Sequence, residues 1–149
     1  MKLNTAAAVI SHMAGLEKTS ADFYEQWGSR LPRLQETFRN LAGDNHKYAT
    51  RIRQAYNNAV TDALETAFSF EGLTAEVTLP DLEPSATAPE VLQAALHLES
   101  EIQSFYEKAA ASSRLLFADV SREMGRMARC RESRRAKIQA AMQSTDTTL

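Results

Sequence analysis

Cysteine is nearly absent from this 149-residue chain. Cys130 stands alone, which excludes an internal disulfide framework and the paired Cys-x-x-Cys knuckles that hold iron or zinc. Glycine and proline are scarce too, at five and four residues, too few for the many turns of an all-β domain. No apolar run approaches the roughly 20 residues of a membrane span. The stretch from Thr5 to Ile10 is too short for a secretory core and leads directly into an amphipathic pattern. Charge excess is missing as well: 17 Lys and Arg face 19 Asp and Glu, and a net charge of -2 exerts no general pull on nucleic acid or anionic lipid. These absences predict one soluble, unprocessed, cytoplasmic helical domain, with neither nucleic acid nor membrane as a partner.

What the chain does have is helical periodicity. Val9, Met13, Leu16, Ser20, Phe23, Tyr24 and Trp27 recur at spacings of three and four, one face of a helix over about 5–28 that Asn4 or Thr5 can cap and Gly28-Ser29 can end. Leu31-Pro32 opens a second helix over about 32–66, with Leu34, Phe38, Leu41, Ala42, Asn45, Tyr48, Ala49, Ile52 and Tyr56 on its stripe. Periodicity stops over about 68–87, where Gly72, Pro80 and Pro84 mark a long crossover. Thr87 and Glu90 have the spacing of a capping box, which starts a third helix over about 88–113. A fourth, over about 115–142, carries Leu116, Val120, Met124, Met127, Ala128, Arg131, Arg134, Arg135 and Ile138 inward, and the polar tail after it is expected to fray. Two short-connected helix pairs joined by one long connection predict an antiparallel four-helix bundle, all-α and a single domain.

One phrase occurs twice, at the same place in each pair. Leu16-Glu17, five residues and Phe23-Tyr24-Glu25 recur as Leu98-Glu99, five residues and Phe105-Tyr106-Glu107. Each copy sets an acid, Glu17 or Glu99, among inward-facing apolar residues, where a carboxylate is costly unless something compensates it.

Together with the segment Leu41 to Ala49 and the entry from Thr87 to Leu98, these phrases resemble the rubrerythrin branch of the ferritin-like superfamily over nearly the whole chain. The resemblance implies a ferritin-like bundle in which helices one and three each give a metal-binding Glu and helices two and four each give Glu-x-x-His, together holding two irons that reduce peroxide or oxidise ferrous iron. Residues three apart share a helix face, so a carboxylate and an imidazole can reach one metal pair. Position by position, Glu17 and Glu99 match the two single ligands. The other four are replaced: Asn45 and Tyr48 on helix two, Arg131 and Arg134 on helix four. A further Glu common in that family is also missing, since Leu96 and Ile102 flank Glu99 at three residues. Rubrerythrins often add a rubredoxin module, for which the necessary cysteines are absent.

The substitutions define competing expectations. In one, the site is no longer metallic: Arg131 and Arg134 aim inward and pair with Glu17 and Glu99, in two-pronged fashion, while Asn45 and Tyr48 add hydrogen bonds. No catalytic residue and no cofactor is then expected, and the protein serves a binding or structural role, as a homodimer like many bundles of the family. In another, the arginine heads escape to solvent and the carboxyls are protonated or hydrated. A third keeps iron in an atypical set built on Glu17 and Glu99, as a peroxidase or ferroxidase, although Asp44, His46 and Glu132 lie about 100° per residue off the stripe. The aromatic residues beside the centre read as core. Cys130, amid arginines, reads as an unreactive thiol, and the outward line Arg122, Arg126 and Arg129 as a solvated face or dimer rim.

Overall fold

The computed structural model describes residues 6–62, 77–78, 81–113 and 118–146. Four long helices account for most of them: α1 (Ala6–Arg30), α2 (Gln35–Asp62), α3 (Ala88–Ser113) and α4 (Ala118–Asp146). No strand occurs among the described residues, and no helix is long and apolar enough to cross a membrane.

Helix ends depart from the sequence reading in two places. Helix α1 runs through Gly28 and Ser29 to Arg30, because Gly28 here serves packing: a Cβ at this position would stand 3.3 Å from Cβ of Phe38, so the missing side chain lets α2 approach. The helix stops where Leu31 turns extended ahead of Pro32, and the chain makes one 3-10 turn (Pro32–Leu34) before α2. At the other end α4 continues past Met142 to Asp146, where fraying was expected. The start of α3 lies at Ala88, with the Thr87 hydroxyl donating to the Glu90 carboxylate at 3.1 Å. The proposed caps Asn4 and Thr5, most of the crossover, residues 63–66 and Leu116 lie outside the described residues.

Direction follows from which residues meet. Between α1 and α3, Tyr24 lies level with Glu99 and Glu17 with Tyr106, so the two helices are antiparallel. Between α2 and α4, Arg33 and Thr37 share a surface hollow with Ala141 and Ser144, while Leu41 and Asn45 are reached by Arg134, again antiparallel. Each hairpin, α1 with α2 and α3 with α4, packs along its length. Helices α2 and α3 therefore point the same way, an up-down-down-up order that only a long connection can join. Its last part crosses the α1–α3 side: the Thr78 amide donates to Glu101 at 2.6 Å, Leu82 packs on the core, and Ala86 is buried.

The core comes in two blocks. One gathers Val9, Met13, Ile52, Ile102, Phe105, Tyr106, Met124 and Met127; the other gathers Tyr24, Trp27, Phe38, Leu41, Val91, Leu92 and Ile138. Each fully buried large side chain stabilises by roughly 1.5–3 kcal/mol relative to exposure. Between the blocks lies a layer of buried polar residues.

Candidate functional site: a buried ionic layer

All four helices contribute to that layer. Glu17 comes from α1, Asn45 from α2, Glu99 from α3, and Arg131 and Arg134 from α4, each at most 1% exposed. Tyr48 of α2 is half-buried at its edge. All of these positions lie on the inward stripes that helical spacing demands, one turn apart on α4 and aligned across the antiparallel pairs.

Glu17 is held by three donors. Arg131 Nη2 approaches its Oε1 at 2.5 Å, the Tyr106 hydroxyl donates to the same oxygen at 2.7 Å, and Asn45 Nδ2 donates to Oε2 at 2.5 Å. Glu99 Oε1 accepts from the Tyr24 hydroxyl at 2.6 Å and from Arg134 Nε at 3.0 Å, with Arg134 Nη2 in ion-pair contact at 2.9 Å. Its Oε2 faces Arg131 Nε at 3.4 Å. Arg134 also donates Nη1 to the Leu41 carbonyl and Nη2 to Asn45 Oδ1, both at 2.9 Å. The aromatic rings close over the cations: Arg131 lies 5.4 Å from the Tyr48 ring and 5.8 Å from Tyr106, and Arg134 lies 5.4 Å from Tyr24 and 5.6 Å from Tyr48.

The guanidiniums therefore point inward, which removes the expectation that their heads reach solvent. Neither forms the symmetric two-pronged pair with one carboxylate. Arg131 bridges both carboxylates, and Arg134 crowds one oxygen of Glu99 while directing its other donors to Leu41 and Asn45 of α2. Two anions and two cations leave the layer neutral, the condition under which buried charge is tolerable. Burial alone would push the Glu99 carboxyl up, but Arg131, Arg134 and the Tyr24 hydroxyl hold it below its ordinary 4.5. Burial, reinforced by the carboxylate each one bonds, pushes the Tyr24 and Tyr106 phenols well above 10.0. Tyr48 is pushed up to about 12, chiefly by burial.

A di-iron centre, which the family resemblance implies, does not fit these side chains. Both carboxylates are engaged by guanidiniums, the imidazole positions hold Tyr48 and Arg134, and no group of three or more His, Cys, Asp or Glu able to hold a metal occurs among the described residues. Of the other polar residues singled out in the sequence, His46 reaches Glu25 at 3.4 Å on the surface, and Arg135, placed inward by the pattern, is only partly buried and reaches Ser100 at 3.3 Å. His12 packs edge-on against Phe105 at 5.0 Å, and burial lowers its pKa. Cys130 is a half-buried free thiol packed against the core beside the layer.

Helical spacing alone places Tyr24 and Tyr106 in the core, and they are also donors to the layer. The signal for it was available: both tyrosines belong to the repeated phrase, seven residues after its acid. The chain matches no family model, no curated protein and no solved structure.

Proposed function

We propose that this chain is a non-catalytic ferritin-like bundle in which an ionic layer takes the place of the di-iron centre, and that it serves a binding or structural role. One observation carries the reading: the six positions that correspond to ligands contain two carboxylates already neutralised by two buried guanidiniums. A divalent cation entering there would meet two fixed positive charges, and it would have to displace the ion-pair contacts of Arg131 and Arg134 with the two carboxylates. Up-down-down-up order with one long crossover is the order of ferritin-like bundles, which supports the family part of the proposal. Cytoplasmic residence and pairing of two copies through helix faces belong to the same reading, and light scattering of the purified protein tests the pairing.

The direct test is elemental analysis of protein purified from iron-supplemented culture and again after anaerobic loading with ferrous iron. Absence of bound iron in both supports the proposal. About two irons per chain would replace it with the enzyme reading, a peroxidase or ferroxidase with an atypical ligand set.

A further inference from the structure

Protein groups do not satisfy the whole layer. Arg131 Nε and Nη1, Glu99 Oε2 and Ser20 Oγ are enclosed without a hydrogen-bond partner, and all three residues are 0% exposed. Two of these atoms are neighbours: Arg131 Nε stands 3.4 Å from Glu99 Oε2, a donor and an acceptor in ion-pair range without a hydrogen bond between them. Ser20 belongs to the same level of the bundle, since on α1 it falls between Glu17, which meets Tyr106, and Tyr24, which meets Glu99.

A group that completes these atoms must accept from a guanidinium and donate to a carboxylate. It must be small, because the layer is packed between two apolar blocks. It must also be neutral: an anion would face Glu17 and Glu99, a cation would face Arg131 and Arg134, and either would unbalance a layer whose charges already cancel. Water has both donor and acceptor character, and buried waters typically make about three hydrogen bonds to polar groups that would otherwise be unsatisfied. We propose that the layer contains a constitutive internal water site, in which one water molecule accepts from Arg131, donates to Glu99 Oε2 and takes the Ser20 hydroxyl as its third partner. The site rests on the ionic reading of the layer and deepens it, because the water lets Arg131 serve both carboxylates without a direct second hydrogen bond.

A crystal structure of the whole chain at better than about 1.5 Å, with anomalous data at the iron edge, tests this. The expected result is a full-occupancy peak without anomalous signal, at about 2.7–3.2 Å from Arg131 and Glu99 Oε2. In solution, oxygen-17 relaxation dispersion should detect a long-lived water, and Ser20→Ala should shorten its residence time. A layer with no peak, in which Arg131 Nε closes directly on Glu99 Oε2, would overturn the water site and leave the metal-free reading intact. An iron-edge signal at that point would overturn both.

Discussion

The hydroxyl of Tyr24 donates to Glu99 at 2.6 Å across 75 residues of chain, and its counterpart Tyr106 donates to Glu17 at 2.7 Å across 89. The repeated phrase is thus an interlock, in which each copy keeps an acid and lends its tyrosine to the acid of the other copy. Neither hairpin holds a complete set alone. The exchange fixes the register of α1 against α3, since sliding either helix by one turn would separate both pairs at once.

Removing either hydroxyl should cost stability in similar measure. Tyr24→Phe and Tyr106→Phe each delete a hydrogen bond to a buried charged acceptor, and each is expected to lower unfolding free energy by about 1.5–3 kcal/mol. Denaturant titration of both single variants and the double variant checks this. Coupling between them is expected, because Arg131 touches both carboxylates.

Truncating one charge should cost more than removing all four. Glu17→Ala and Glu99→Ala each leave guanidinium charge buried without its partner and are expected to cost roughly 3–5 kcal/mol. Replacing Glu17, Glu99, Arg131 and Arg134 together by Leu or Met removes the desolvation penalty along with the attraction, and most of that loss should be recovered. Thermal melting of the three proteins provides the comparison.

Acid and alkali should both weaken the fold, through different groups. The Glu99 carboxyl titrates below its ordinary 4.5 in the folded chain, so its contribution is present above pH 4.5 and is lost as the pH falls through the lowered value. Carbon-13 NMR of the Glu99 carboxyl should show a midpoint under 4.5, rising in Tyr24→Phe. The phenols of Tyr24 and Tyr106 titrate well above 10.0. Their contribution is complete below pH 10 and declines as the pH rises toward their folded values. In ultraviolet titration these two should ionise only as the protein unfolds.

Gly28 should tolerate no bulky side chain. A Cβ there already meets Cβ of Phe38 at 3.3 Å, so Gly28→Val forces α1 and α2 apart at the turn. A loss of about 1–3 kcal/mol is expected from the overpacking, measurable by the same denaturant titration.

Much of this was legible in the sequence because it is periodic. The stripe from Val9 to Trp27 gave α1, and the same period placed Glu17, Asn45, Glu99, Arg131 and Arg134 inward, where burial now finds them. Partner choice was less legible. Helical spacing says that Arg134 faces the core, but its bond to the Leu41 carbonyl, 93 residues away, depends on how α2 and α4 align. The ends of α1 and α4 differ from the sequence pattern for related reasons. Gly28 reads as a stop signal when its local freedom is considered, yet its role is the close approach of Phe38, a contact that only packing reveals. The polar end of α4 has weak periodicity, but Ala141 and Met142 still pack against the core, so the helix persists to Asp146.

The proposal that the ionic layer stands in place of a metal centre requires Arg131 and Arg134, with Asn45 and Tyr48, to keep iron out of the bundle core. Iron stoichiometry should be measured after identical ferrous loading for the native chain and for the variant Asn45→Glu, Tyr48→His, Arg131→Glu, Arg134→His, which writes Glu-x-x-His into α2 and α4. The expected result is no bound iron in the native chain and about two irons per chain in the variant; about two irons in the native chain would rule out an iron-excluding layer.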